Sequence, residues 1–401
     1  MNKMKKIVLA FSGGLDTSFC VPYLIEQGFE VHTIFVNTGG TSKKEEIKIT
    51  NRAIELGAKQ HINKNVDQSL WKEIIKPLIW SGSLYQDRYP ALCSDRYLIV
   101  KEAVALCKKL KTKNIAHGCT GMGNDQVRFD LSIQALGSFN TFSPIREIQN
   151  ESQDVRGYEI NYLKERGFKV SSLSSSYSVN ENIMGATVSG SEIDEWKEPS
   201  DESYILCKKP NQYPKKDKRI KIEFVKGEAK KINGKLLKGA DLLRKLNSDG
   251  GLYGIGREIY TGDTIIGIKG RILFEAPGIT ILQKAHKALE ETILTDKQSF
   301  FKPLVGKKWV ELVYNGFYFD PLTKNLENFL EDIQQLVNGT VEVCLSSGSV
   351  TAVSVDAKKK LINKDSTYAQ SASWGIEESS GFIKLYGQSS STWAKVNKNK
   401  L

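Results

Sequence analysis

Along the first 170 residues the apolar positions switch repeatedly between a continuous run and a helical period. Ile7 to Phe11 (IVLAF) is an unbroken apolar run, which predicts a strand buried on both faces. A helical pattern follows from Asp16 to Gln27 and stops at Gly28; VHTIFVN over 31–37 predicts a second strand. Ser42-Lys43-Lys44-Glu45 then offers a capping box for a helix ending at Gly57. Further on, LIVKEAVALCKKL (98–110) predicts a helix, NIAHG (114–118) a short strand, and DQVRFDLSIQAL (125–136) another helix. This alternation predicts an α/β fold with a doubly wound parallel sheet and ligands at the carboxyl ends of its strands. The two glycine-rich loops, 12–18 and 118–123, then open on one edge, so residues a hundred positions apart can share a site.

After Ser171 the pattern changes. SSLSSSYSVNEN (171–182) is serine-rich and predicts a linker. The chain to about 345 shows short strands, Asn-Gly and Asp-Gly turn signals and fewer helices, which predicts a second, α+β domain. The expected boundaries are 1–170, 171–363 and a C-terminal arm, 364–401. Within the second domain Ile220, Ile222 and Phe224 alternate with Lys221 and Glu223, and Asn233-Gly234 is a tight-turn signal, together predicting a β-hairpin with one wet face. The arm, ending in GFIKLYGQSSSTWAKVNKNKL, reads either as a segment that packs on another subunit or as a frayed tail.

Composition narrows the class. In 401 residues, 40% hydrophobic and 26% charged content is that of a globular chain, with no apolar run long enough for a membrane span and no signal-peptide pattern. A cytoplasmic protein with no membrane partner is expected. Cys20, Cys93, Cys107, Cys119, Cys207 and Cys344 form no C-x-x-C pair and read as reduced thiols; the four histidines lack metal-ligand spacing. The net charge of +11 is local: residues 208–245 hold 14 Lys and Arg against 4 Asp and Glu, a net +10. No aromatic residues interleave with those lysines as a stacking platform would require, so a solvated face is expected and no nucleic-acid partner.

The first loop carries the chemistry. Ala10-Phe11-Ser12-Gly13-Gly14-Leu15-Asp16-Thr17-Ser18 joins a strand to a helix N-terminus, where clustered backbone N–H groups and the helix dipole favour an anion. Phosphate is the natural guest, yet the lysine of a Walker A loop is missing. Hydroxyls of Ser12, Thr17 and Ser18 take its place, while Asp16 is tolerable beside phosphate only with a divalent cation between them, which implies Mg²⁺. The S-G-G-x-D-[ST]-[ST] pattern resembles the pyrophosphate loop of the N-type ATP pyrophosphatases, which cut ATP between the α and β phosphates.

The second loop is more specific. Ala116 to Phe129 (AHGCTGMGNDQVRF) is similar to the signature of the argininosuccinate synthase family, and further likeness lies in Gln86 to Pro90, Tyr177 to Asn182, Gly254 to Arg257 and the run FEAPGITILQKAHKALE. The resemblance implies an ATP- and Mg²⁺-dependent ligase: the ureido oxygen of citrulline attacks the α-phosphate, pyrophosphate departs, and the aspartate amine displaces AMP. It implies that the 10–18 loop, Val36 and Gly118 bind ATP, that Thr120, Asn124 and Asp125 bind aspartate, and that Tyr89, Asn124, Arg128, Ser178 and Thr187 bind citrulline. The magnesium would be held by the ATP phosphates and by Asp16, and the family implies a homotetramer. Cys119, with no partner base, reads as a small spacer.

The chain also departs from the family pattern. Ala91-Leu92-Cys93-Ser94-Asp95-Arg96-Tyr97 is one residue shorter than the usual segment, which leaves the register of Ser94 and Arg96 open. Gly262 and Phe274 stand where the family carries a glutamate and a tyrosine near the amino-acid end of citrulline, and Asn180 replaces an aspartate. A missing carboxylate fits a substrate with an uncharged α-amine, such as an N-acylated citrulline, unless Asp263 takes its place. The alternative readings are a tRNA-modifying ATP pyrophosphatase that adenylates a base, supported by the basic segment, and a non-catalytic binding protein built on a degenerate synthase.

Overall fold

The computed structural model describes residues 4–170, 177–368 and 370–398; most of the serine-rich linker, 171–176, lies outside them. Residues up to 359 form one compact unit, and residues from 360 onward a second.

The first unit begins with β1 (Lys5–Ala10), α1 (Leu15–Glu26), β2 (Phe29–Asn37), α2 (Lys43–Glu55) and β3 (Gln60–Asn65). After a composite helical stretch over 67–81 come α3 (Arg96–Leu110), β4 (Asn114–Ala116), α4 (Asn124–Leu136), β5 (Asn140–Phe142) and α5 (Val155–Glu165). All five strands are parallel, in the order β3-β2-β1-β4-β5. Alternate residues of β1 feed two cores: Ile7 and Leu9 pack with Phe19 and Leu24 of α1 and Leu163 of α5, whereas Val8 and Ala10 join the cluster that holds Val104 and Ile133 of α3 and α4. Each fully buried aliphatic side chain of this kind contributes roughly 1.5–3 kcal/mol, so both faces of the sheet are firmly covered. The strand order reverses direction between β1 and β4, and that switch point places the loops after both strands at one crevice.

Local signals are met where they were strong. Gly28 and Gly57 close their helices with φ of +86° and +97°. Ser42 Oγ accepts from the Glu45 N–H at 3.4 Å, and the Ser42 N–H donates to Glu45 Oε2 at 2.9 Å, completing the box.

The rest of the unit contains β6 (Ser178–Asn182), β7 (Gly185–Ser189), β8 (Lys218–Val225), β9 (Glu228–Ile232), β10 (Lys235–Leu236), α6 (Gly239–Leu252), β11 (Arg257–Asp263), β12 (Lys269–Glu275), α7 (Pro277–Ile293), α8 (Asp296–Asn315), α9 (Pro321–Gln334), β13 (Gly339–Ser346) and β14 (Ser349–Asp356). They form two sheets, β10-β9-β8-β13-β14 and β11-β12-β7-β6. The expected hairpin is present as β8 and β9, with Ile220, Ile222 and Phe224 buried, but it turns at Lys226-Gly227, φ +50° and +67°; the Asn233-Gly234 turn, φ +49° and +79°, leads from β9 into the short β10. Part of the positive charge of residues 208–245 is paired at the surface. Lys218 and Lys245 both reach Asp249, at 2.8 and 2.6 Å, Lys231 pairs Glu223 at 2.8 Å, and Arg244 pairs Asp67 and Asp241.

Helices are fewer after residue 171, as expected, yet α6 to α9 include the longest helices of the described residues. Asp249-Gly250-Gly251, a turn signal by sequence, lies inside α6. A Cβ on Gly250 would come within 2.9 Å of Pro277 and Ile281, and one on Gly251 within 2.7 Å of the Leu206 carbonyl. Here glycine serves close packing of helix against helix, and tertiary burial overrides its helix-breaking tendency.

The second unit holds α10 (Ile376–Tyr386) and α11 (Gln388–Val396), with Phe382 stacked on Tyr386 at 5.0 Å. Ile376, Phe382, Ile383, Leu385, Trp393 and Val396 are all exposed.

Candidate active site

The loop after β1 is organised by its own hydroxyls. Ser12 Oγ lies 3.1 Å from Thr17 Oγ1, the Ser12 N–H donates to Thr17 Oγ1 at 3.2 Å, and the Gly14 N–H donates to Ser12 Oγ at 3.3 Å. Gly13 sits at φ +79°, left-handed backbone that the tight turn into the helix needs and glycine adopts at no steric cost. Asp16 stands in the first turn of α1. Burial raises its carboxyl pKa, against a backbone hydrogen bond and Arg156, so this carboxylate is short of counter-charge.

The loop after β4 packs against the first loop directly. A Cβ on Gly118 would fall 2.9 Å from Thr17 Cγ2 and 3.3 Å from the Thr17 nitrogen. Its conformation is pinned from below: the Cys119 N–H donates to His117 Nδ1 at 3.2 Å, His117 Nε2 faces Asp130 at 2.9 Å, and Arg146 donates to Asp130 at 2.8 Å. Gln149 Oε1 accepts from the Gly121 N–H at 2.7 Å, and Ser143 Oγ donates to the Cys119 carbonyl at 3.0 Å. Burial pushes the Cys119 thiol up, which keeps it neutral and inert.

From this loop α4 carries Asn124, Asp125 and Arg128 into a charged network. Arg96 Nε and Arg128 Nη1 donate to the two oxygens of Asp125 at 3.0 and 2.8 Å, and Arg96 also reaches Asp95 at 2.7 Å and Asn180 at 2.8 Å. Burial alone would raise the Asp125 carboxyl; Arg96 and Arg128 outweigh it and hold it below the usual range. Arg128 is 3% exposed, donates Nε to the Tyr314 carbonyl at 3.0 Å, and among the described residues has no partner for Nη2. A buried donor of this kind suits a ligand's oxygen.

Tyr314 links the network to an aromatic wall. Its hydroxyl accepts from Asn124 Nδ2 at 3.3 Å, its ring stacks on Tyr85 at 3.6 Å, and Tyr89 meets both Tyr260 and Phe274, at 5.4 and 5.5 Å. In the four-stranded sheet Asn180, Thr187, Phe274 and Glu258 stand in one cross-strand row, with Ser178 two positions from Asn180 on the same face. Tyr89, Phe274, Thr187, Asn180 and Arg96 are thereby brought together.

Ser94 is not at the ligand face. It is fully buried, and its Oγ donates to the Ala91 carbonyl at 2.7 Å inside a tight turn. Ala91 opens this segment at φ +48°, and Arg96 rather than Ser94 reaches Asp125 and Asn180. Asp263 is also committed elsewhere, to Lys269 at 2.5 Å and Gln86 Nε2 at 2.9 Å. Among the described residues no group of three or more His, Cys, Asp or Glu could hold a metal. Val36 is buried in β2 beside the crevice. Sequence reasoning missed Tyr314, Tyr260, Gln149 and Arg146, which reach the site from remote segments and carry no local signal.

Comparison with known proteins agrees with this arrangement. Residues 6–169 match the model of the arginosuccinate synthase N-terminal HUP domain, and residues 177–393 that of the arginosuccinate synthase C-terminal domain. The chain belongs to the argininosuccinate synthase family. It is 52% identical over 394 residues to the argininosuccinate synthase of Xanthomonas campestris, covering 98% of this chain and 99% of that one, and 51% identical to that of Xylella fastidiosa, covering 98% of each. The relative from Prochlorococcus marinus subsp. pastoris is 34% identical, with both chains wholly covered. As a family member it is an ATP-using ligase that forms a carbon–nitrogen bond. The tRNA-modifying alternative falls with that assignment: a 4-thiouridine synthetase in complex with RNA is 20% identical, covers 40% of this chain and 42% of its own, and has a TM-score of 0.29, too low to carry an argument. No helix among the described residues is long and apolar enough to cross a membrane.

Proposed function

We propose that the crevice joins a ureido amino acid to aspartate through an adenylated intermediate, with the loop after β1 holding the departing pyrophosphate. The observation that supports this reading is the direct packing of Gly118 on Thr17, which brings the loop after β1 against the loop that leads into α4 and Arg128. The ureido oxygen attacks the α-phosphorus, the bond to the bridging oxygen breaks, and pyrophosphate leaves into the N–H groups and hydroxyls of residues 12–18. The aspartate amine then attacks the activated carbon, losing a proton, and AMP departs. No side-chain nucleophile is required, so the acceleration comes from positioning and from fixed dipoles.

Thr120 and Asn124 donate to the aspartate carboxylates. Asp125 acts through the arginines it holds, since both its oxygens accept from them; Arg128 Nη2 then serves the ureido substrate. Tyr89, Ser178 and Thr187 line the same substrate, and Val36 and Gly118 the nucleotide. Mg²⁺ fits at Asp16, whose carboxylate lacks counter-charge and would share the ion with phosphate oxygens; when bound, the ion neutralises charge on the leaving group. The exposed apolar residues of α10 and α11 support contact with a second copy of the chain and a tetramer, measurable by light scattering. Replacing Asp16 by Asn tests the site: ureido-substrate-dependent pyrophosphate release should be abolished, and near-normal release would refute the role of Asp16.

A further inference from the structure

We propose that Gln86, Tyr260 and Gly262 form an uncharged end wall that selects a ureido amino acid whose α-nitrogen is acylated. This deepens the proposed function and rests on it. A substrate whose ureido oxygen meets the nucleotide must place its α-carbon at the far end of the crevice. The contacts lead there in sequence: Gly118 on Thr17, Asn124 on Tyr314, Tyr314 stacked on Tyr85, and Tyr85 followed by Gln86 at the tip of a tight loop.

That loop is closed by two hydrogen bonds between Tyr85 and Tyr89, at 2.8 and 3.0 Å, and it holds Gln86 and Asp87 at φ of +49° and +57°. Such left-handed backbone at non-glycine residues persists where the surroundings enforce it. Here the tip is driven into β11. A Cβ on Gly262 would lie 2.2 Å from Gln86 Oε1 and 2.3 Å from the Tyr260 hydroxyl, so no side chain, and no carboxylate, fits at 262 while they are in place. Tyr260 donates to Gln86 Oε1 at 2.8 Å, and the Asp263 N–H donates to the same oxygen at 3.2 Å.

Among the described residues the carboxylates near the wall each carry a cationic partner: Asp263 pairs Lys269, Glu258 pairs Arg88 at 3.5 Å, Asp87 pairs Lys307 at 2.9 Å, and Glu311 pairs Lys308 at 2.8 Å. Glu275, fully buried, accepts from the N–H groups of Ile205, Leu206 and Cys207 at 2.7 to 3.0 Å. An ammonium brought to this wall would lose water without gaining a counter-ion, whereas an amide N–H needs only a neutral acceptor. The bonds made and broken in the ligation are unchanged, and the product keeps its acyl group.

The test uses the full chain with ATP, Mg²⁺ and aspartate, and follows AMP formation with citrulline, N-acetylcitrulline and N-succinylcitrulline. At least one acylated substrate should exceed citrulline in kcat/KM by tenfold or more. Equal or better turnover of free citrulline overturns this inference and leaves the ligase reading standing; no AMP with any of the three overturns that reading as well. The isosteric Gln86→Glu places a charge at the wall and should shift the acylated-to-free ratio at least tenfold toward citrulline. A purely structural role would lower both values and leave their ratio unchanged, which would also overturn the proposal.

Discussion

Gly118 lies so close to Thr17 that one added methyl group would stand 2.9 Å from Thr17 Cγ2, a separation real side chains do not adopt. The two ligand loops are thus in contact across the switch point of the sheet, and their spacing is fixed by the absence of a side chain. Gly118→Ala should push them apart by a few tenths of an ångström. Because small displacements of reacting groups are costly, kcat for AMP formation should fall by roughly 10–100-fold. The melting temperature should change little, and steady-state kinetics with thermal denaturation checks both.

Arg128 joins Asp125 of α4 to Tyr314 at the end of α8 through one planar group. Its Nη1 and Nε are spent on Asp125 and Tyr314, and only Nη2 remains. Lysine can hold the charge but not this fork. Arg128→Lys should lower kcat/KM for the ureido substrate by about 100-fold, or ~2.7 kcal/mol of transition-state binding. Part of that loss is the stranding of Asp125, so kcat/KM for aspartate should fall as well.

Glu159 of α5 is 1% exposed, and among the described residues its Oε1 has no hydrogen-bond partner. Burial, reinforced by the Asp16 charge and opposed by Arg156, pushes its carboxyl up to about 8. The folded state therefore binds a proton that the unfolded state releases near pH 4.5. The resulting stability is fully present below that pH and is lost as pH rises toward 8. Glu159→Gln, which copies the protonated form, should raise the melting temperature at pH 8 and have little effect near pH 4.5. The difference at pH 8 should be on the order of 4 kcal/mol. Equal shifts at both pH values, measured by calorimetry, would exclude this coupling.

Both glycine-rich loops, as strand-to-helix connections on one sheet edge, were legible in the sequence because their signals are local. A buried strand, a glycine turn and a helix start follow one another in a dozen residues, and the doubly wound order follows from the alternation. The capping box at Ser42 and the Asn233-Gly234 turn are legible for the same reason. What stayed hidden depends on distant partners. β3 (QHINKN) is polar and half-exposed, and holds its place only by pairing with β2. Gly250 and Gly251 read as a turn until α7 and Leu206 are seen pressed against them. Asp263 looked free to replace a missing carboxylate, and only the fold reveals Lys269 and Gln86 holding it. The aspartate role of Asp125 reads differently for the same reason, since its two arginines come from α3 and from one turn along α4.

The most direct measurement labels the ureido oxygen of the preferred substrate with ¹⁸O and follows it through one turnover with ATP and aspartate. Attack on the α-phosphorus predicts one AMP and one pyrophosphate per product, with the label carried into AMP. Release of ADP and phosphate, or AMP free of label, would contradict a loop after β1 that holds pyrophosphate as the leaving group.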